Sequence, residues 1–107
     1  MLSSDIMRGY NDIFILAILT EGDSYGYEIS KKISETSDNL YSIKETTLYS
    51  AFTRLKKQGL IIDYPGDTTH GRPRTYYSIT DAGTHFLTEK KDEWQLTKIV
   101  VEKIIRG

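Results

Sequence analysis

The chain has no cysteine among its 107 residues. That removes disulfide frameworks and thiolate metal sites together and suits a reducing compartment, so a cytoplasmic protein is expected. Histidine is scarce as well. His70 falls in a turn-rich stretch and His85 in a helical one, and the sequence holds no H-x-x-x-H pair, no phosphate-binding glycine loop and no nucleophile elbow. Neither catalytic residues nor a metal or cofactor site is therefore expected. Long apolar runs are missing too: the longest, Ile13 to Leu19, has seven residues and follows Asp5, Arg8 and Asp12. It is too short to span a bilayer and wrongly flanked for a signal peptide, so no membrane partner and no targeting segment are expected. The last shortage is of positive charge. Fourteen Lys and Arg against fifteen Asp and Glu leave a net charge of -1, which on its face argues against nucleic acid, because neutralising phosphates requires cations.

The distribution of charge points the other way. Between Lys44 and Lys57 the basic residues Lys44, Arg54, Lys56 and Lys57 face a single acid, Glu45. Such a cluster by itself also describes an ordinary solvated helix face. What distinguishes this one is the segment that follows it, Gly71-Arg72-Pro73-Arg74-Thr75-Tyr76-Tyr77, a turn-rich hairpin carrying two arginines around a proline. A basic helix followed by an arginine-tipped hairpin can meet a DNA groove and its flanking phosphates together.

At this length, with 38% hydrophobic and 27% charged residues, one modest core and one structural domain are expected. Ile6, Tyr10, Ile13, Phe14, Ala17 and Ile18 follow a helical period, and Ile15, Leu16 and Leu19 add a second apolar face. A helix apolar on two sides has two partners: its own core, and a dimer or ligand surface. Gly22 and Asp23 break it, and Asp23 or Ser24 can cap a second helix in which Tyr25, Ile29 and Ile33 recur every four residues. Ser42 and Glu45 fit the S-x-x-E capping box opening a third helix, with Leu48, Ala51, Phe52 and Leu55 inward and Gly59 closing it. Leu60, Ile62 and Tyr64, then Tyr77 and Ile79, alternate as in an antiparallel hairpin. Thr80 caps a long last helix in which Leu87, Trp94 and Val101 are spaced by seven, with Thr97 and Ile104 between them. This stripe packs either on another chain or on the domain's own first helix; periodicity does not separate the two.

These elements make a mainly α (α+β) winged helix-turn-helix, with residues 1–80 forming the reading unit with its β-hairpin wing and residues 81–107 a long C-terminal dimerisation helix. Ile15-Leu16-Ala17-Ile18-Leu19, Glu21-Gly22, Tyr25-Gly26-Tyr27-Glu28-Ile29, Thr47-Leu48-Tyr49, Arg54-Leu55, Gly59-Leu60-Ile61, Gly71-Arg72-Pro73-Arg74, Tyr76-Tyr77, Thr80 and Gly83 resemble the PadR-type transcriptional regulators. The order and spacing of these short motifs carry the resemblance over nearly the whole chain. The single helix after the wing, with Glu93-Trp94, is similar to the small subfamily that includes a multidrug-sensing repressor. The resemblance implies a homodimer, a pseudo-palindromic operator in double-stranded DNA read by two helices about 34 Å apart, and repression as the outcome.

For a helix in the major groove, the N-terminal polar residues Lys44, Glu45, Thr46, Thr47 and Ser50 reach the base edges. Lys44 suits guanine acceptors; Glu45 can accept from cytosine or serve Ser42 in the capping box, and both roles need the same carboxylate. Tyr49 resembles the family's tyrosine on this helix, whose hydroxyl meets a phosphate, and Tyr27 can do likewise. Arg54 and Lys57, about three turns further along, are expected on backbone phosphates, as are Arg72 and Arg74, stiffened by Pro73 and able to enter a narrow minor groove. Trp94 resembles the residue that stacks flat aromatic compounds in the multidrug-sensing member, which gives a candidate effector site of Ile13, Leu16, Glu93 and Trp94 and a dimer stripe of Leu87, Trp94, Val101 and Ile104. Lys98 departs from that pattern, standing one turn beyond Trp94 where an acidic residue would hold a cationic drug. The alternative to a DNA-binding regulator is a winged-helix protein-interaction module, because a fold alone does not fix a function.

Overall fold

The computed structural model describes residues 2–69 and 72–107; for Asp67, Thr68, Thr69 and Arg72 it describes the backbone alone. Five helices and three strands follow one another as α1 (Ser4–Met7), α2 (Asn11–Leu19), β1 (Ser24–Tyr25), α3 (Gly26–Thr36), α4 (Glu45–Lys57), β2 (Ile61–Thr69), β3 (Arg72–Ile79) and α5 (Asp81–Arg106). The expected winged helix-turn-helix is present: α3 and α4 are the helix-turn-helix, and β2 and β3 the wing.

The expected first helix is two. Gly9, a poor helix former with open space around it, lies in a turn closed by the Tyr10 N–H donating to the Met7 carbonyl at 2.9 Å. The break lets α2 begin afresh at Asn11. Its two apolar faces behave as their pattern implies: Ile15, Leu16 and Leu19 are buried, whereas Ile13, Phe14, Ala17 and Ile18 are only partly covered. The buried face meets Ile29 and Ile33 of α3 and Leu48, Ala51, Phe52 and Leu55 of α4 in one core, which Leu60, Ile61, Tyr77 and Leu87 complete.

Two expected helix caps are replaced. Neither Asp23 nor Ser24 occupies the cap of α3; that position is Tyr25, without a side-chain cap bond. The reason is a short strand that the turn signals concealed: Ser24 and Tyr25 pair with Tyr77 and Tyr76 of β3, giving a three-stranded antiparallel sheet in the order β1-β3-β2. Nor does the Ser42–Glu45 capping box form. Lys44 is the N-cap of α4, again without a side-chain bond, and the Ser42 hydroxyl lies 3.1 Å from that of Ser34 on α3. Glu45 is thus one residue inside the helix, too near its start to reach back in a box.

The C-terminus of α4 closes as expected. Gly59 takes φ +75°, its N–H donates to the Lys56 carbonyl, and the Leu60 N–H donates to that of Leu55, both at 3.0 Å, which satisfies two carbonyls left over by the helix. In the wing, Ile61 pairs with Ile79 and Asp63 with Tyr77, with an irregularity between Pro65 and Thr68. Ile61 and Tyr77 therefore face the core, while Ile62 and Tyr64 point outward.

The last helix starts against the turn that ends α4. The Thr80 hydroxyl donates to the Gly59 carbonyl at 2.8 Å and accepts from the Gly83 N–H at 3.0 Å. Gly83 lets the two segments close up: a Cβ there would stand 2.2 Å from the Leu60 carbonyl oxygen. Leu87 is 2% exposed, in the domain's own core, and so is not free to form a dimer stripe. That correction follows from where α5 begins, since its first two turns are clamped to the body. Beyond Trp94 the helix runs clear. Leu96, Ile99, Val100, Val101, Ile104 and Ile105 are all exposed, on an element about 39 Å long. None of the described helices is long and apolar enough to cross a membrane.

Gly83→Ala is expected to lower the unfolding free energy by about 1–3 kcal/mol, because the clashing atom is backbone. Gly9→Ala, with nothing in the way, should leave it unchanged or slightly raised. Urea midpoints of the two variants check the contrast.

Candidate nucleic-acid interface

The outward side of α4 is polar for most of its length. Lys44, Glu45, Thr46 and Ser50 are exposed, Thr47 is half-covered, and Lys57 is exposed at the far end. With Lys44 as an N-cap lacking a side-chain bond, the first N–H groups of α4 have no intrahelical partner, and they add the positive end of the helix dipole to the lysine. This end can receive an anion or hydrogen-bond acceptors of a base edge.

Tyr49 connects this helix to the next element. Its ring meets Phe52 edge-on at 5.4 Å, and its hydroxyl lies over Gly26 so closely that a Cβ there would be 2.5 Å away. Gly26 opens α3, and the neighbouring Tyr27 is 68% exposed. Tyr27 therefore stands at the surface, whereas Tyr49 is about half covered.

Tyr25, on the other side of Gly26, holds the wing. The Arg74 guanidinium sits 4.1 Å from the centre of its ring. Tyr25 also meets Tyr76 at 5.5 Å, and Tyr76 stacks on Tyr64 at 5.9 Å. The row ends where the Tyr64 hydroxyl donates to Asp23, a bond that raises the phenol's pKa above the usual tyrosine value. Gly66 lies directly over the Tyr76 ring, where a Cβ would come within 2.0 Å of it. Through Tyr49, Gly26, Tyr25 and Arg74, then, the start of α4, the start of α3 and the wing form one continuous surface. The backbone of Arg72 pairs with Thr69, but its side chain lies outside the described residues, as do His70 and Gly71.

Among the residues expected on phosphates, Arg54 carries an ion pair of its own. Its guanidinium makes two bonds to the Asp12 carboxylate, at 2.5 and 3.1 Å. That hydrogen bonding holds it above its ordinary pKa despite partial desolvation. The arginine is thus paired within the molecule, although its side chain stays 46% accessible. Lys56 is likewise bonded to Asp63 at 2.7 Å. Nothing in the spacing of the sequence revealed these pairs, whose members are brought together only by the fold.

The candidate effector residues lie on two faces of the α2–α5 region. Leu16 is 0% exposed, in the core. Its place in the core follows from the face of α2 it occupies. Glu93 is 3.4 Å from Lys90 on the same helix. Trp94 is 41% exposed, with Tyr10 against it at 5.4 Å and the Lys98 ammonium 5.9 Å from its ring. A groove of about 550 Å³ lies instead between α2 and α3, lined by Phe14, Ala17, Ile18, Ile33, Leu40 and Tyr41 among others.

Similarity to known proteins runs along the whole chain. Residues 15–89 match the model of the Transcriptional regulator PadR-like family. A protein of Lysinibacillus sphaericus is 44% identical over 107 residues, covering 100% of this chain and 98% of its own. The structure of a transcriptional regulator from Clostridium thermocellum is 56% identical, with a TM-score of 0.89 over 96% of this chain and 97% of that one. A PadR family transcription regulator from Clostridium difficile is 39% identical, with a TM-score of 0.79 over 91% of this chain and 99% of that one.

Tyr25→Leu is expected to remove the arginine–ring contact and the aromatic row's anchor and so to cost about 1–2 kcal/mol of stability. Tyr25→Phe keeps the ring and should stay close to the parent. Thermal unfolding of the two proteins distinguishes them; equal loss in both would place the effect in the hydroxyl.

Proposed function

Because the chain belongs to the PadR-like family of transcriptional regulators, we propose that it acts as a homodimeric repressor that binds a pseudo-palindromic operator in double-stranded DNA. The observation that carries this reading is the continuous surface from α4 through Tyr49 and Gly26 to Tyr25 and Arg74. A duplex lying on it would take α4 in its major groove and the wing on the adjoining backbone or minor groove.

The roles divide by position. Lys44, Glu45, Thr46, Thr47 and Ser50, at the start of α4, read base edges. Glu45, released from any capping bond to Ser42, is available to accept from cytosine. Tyr27, Tyr49, Lys57, Arg72 and Arg74 hold phosphates, which supplies affinity and salt dependence without reading sequence. Arg54 is set apart by its bond to Asp12.

The second copy supports the reading from the other end. Trp94, Val101 and Ile104, with Leu96, Ile99, Val100 and Ile105, are more apolar surface than a helix keeps in water without a partner. A dimer built through residues 94–105 would fix the spacing of the two reading helices. An effector beside Trp94, near Ile13 and Glu93, would release the operator by favouring a dimer geometry in which that spacing is wrong, which requires unequal affinity for the two geometries. With Lys98 over the ring, a neutral or anionic aromatic compound suits the place better than a cationic one.

Arg74→Ala is expected to weaken binding to all duplexes and to lower the slope of log affinity against log salt by about 0.9, while Thr47→Ala alters the preferred bases. Selection of bound fragments from random duplex DNA, followed by salt titration, measures both. Wild-type affinity in Arg74→Ala would remove the wing from the interface, and failure to bind any duplex would leave a protein-interaction module.

Ile104→Asp and Val101→Asp place charges on the exposed stripe and should shift sedimentation from dimer to monomer. An unaltered dimer in both would put the interface elsewhere.

A further inference from the structure

Three consecutive residues at the beginning of α2 each reach a different part of the molecule. Tyr10 meets Trp94 of α5. Asn11, buried, accepts a hydrogen bond from the Tyr41 hydroxyl at 2.7 Å. Asp12 holds the Arg54 guanidinium by both carboxylate oxygens. Tyr41 stands four residues before α4 begins, and Arg54 lies in its last turn. The first turn of α2 therefore grips the reading helix just ahead of its start and near its end.

The geometry of the second grip is that of a fixed joint. A planar fork on a carboxylate sets both distance and angle, which a single ammonium contact does not. The helix dipoles agree with it: Asp12 occupies the first turn of α2 and Arg54 the last turn of α4. Asp12 is also the less exposed partner, its side chain 22% accessible against 46% for Arg54. Both charges are thus satisfied before any ligand arrives.

We infer that Asp12 is a positioning residue for DNA recognition: through Arg54 it sets the pitch of α4 against α2, and Arg54 serves the DNA through this joint, not by touching a phosphate. The inference rests on α4 being the operator-reading helix. Its leverage is geometric. A helix of this length spans about 20 Å, so a change of about 5° in the angle at which the joint holds the last turn of α4 moves the reading end, at its start, by about 1.7 Å, which is more than a hydrogen bond to a base edge tolerates. Contacts to phosphates, which many orientations can make, survive such a tilt. Loss of the joint should therefore reduce selectivity while leaving non-specific binding intact.

The test compares Asp12→Asn, Arg54→Gln, their double variant and Arg54→Lys on two duplexes, the fragment selected by the wild type and a scrambled one, over a range of salt. Each variant is expected to bind the selected duplex about tenfold more weakly, and the double variant no more weakly than either single one. Binding to the scrambled duplex should change less than about twofold, with the salt slope unchanged; the same measurement shows that the variants are folded. Three results would overturn the inference. Asp12→Asn could bind both duplexes more tightly, as release of a phosphate-seeking arginine would produce. Arg54→Gln could weaken both equally with a slope reduced by about 0.9. Arg54→Lys could match the wild type, which would mean that charge alone suffices. A wild-type protein that selects no duplex would overturn the operator reading and this inference with it, whereas selection by the wild type with unchanged variants overturns this inference alone.

Discussion

Phe52 stacked on Tyr77, ring centres 4.0 Å apart and 19° from parallel, is the contact on which the proposed reading surface depends. Both rings are buried, one on the inner face of α4 and one on the central strand of the sheet. They fix the distance between a helix and a wing that, among the described residues, share no backbone hydrogen bond. Everything outward of this pair inherits its placement. Tyr49 lies edge-on to Phe52 and reaches Gly26; Tyr76, next to Tyr77, carries the row of rings that ends under Arg74. Burial also raises the Tyr77 pKa above the usual tyrosine value, because a phenolate would be costly in the core.

The stack fixes one side of α4, and the first turn of α2 fixes another. The two constraints differ in kind. Ring stacking is short-ranged and tolerates rotation about the ring normal, whereas the Asp12–Arg54 fork is directional. A helix held only by its apolar stripe could roll or tilt within the slack of side-chain packing; a helix also held by a fork near its end could not. Tyr10, beside this joint, contacts Trp94. A shift of α5 at Trp94 would therefore arrive next to the residues that hold the reading helix, a route that follows from adjacency and whose strength is a matter of coupling free energy.

How legible this was in the sequence varied with the range of the interaction. Local signals carried well. Gly59 ends α4 in the left-handed conformation and Thr80 caps α5, since each depends on a few neighbouring backbone groups. Stripes of apolar residues gave the inner faces of α2 and α4. What failed were local signals overruled by distant partners. Ser24 looked like a cap until β3 took its backbone, Ser42 looked like half of a capping box but lies against Ser34, and Leu87 followed a heptad spacing yet belongs to the core because Gly83 brings its turn against Leu60. Arg54 looked free because its partner stands 42 residues away. Periodicity reports which side of an element is apolar, and it is silent on which distant element covers that side.

The same long-range pairing shows how a chain of net charge -1 would present cations to DNA in the proposed reading. Of the cations on α4, Arg54 is matched by Asp12 and Lys56 by Asp63. Among the described residues, Lys44 and Lys57, at its two ends, have no carboxylate within reach, and Arg74 has a ring rather than an anion beneath it. The acidic residues thus neutralise cations along the flank and leave those at the helix ends and on the wing. A phosphate approaching such a surface would meet Lys44, Lys57 and Arg74, and between them the Arg54–Asp12 and Lys56–Asp63 pairs. Affinity for a polyanion depends on the few cations it can neutralise, and the sign of the whole molecule matters mainly at distances that salt already screens. Weak overall attraction is compatible with a reading head whose discrimination comes from the start of α4, because fewer unpaired cations leave a larger share of the binding free energy to base contacts.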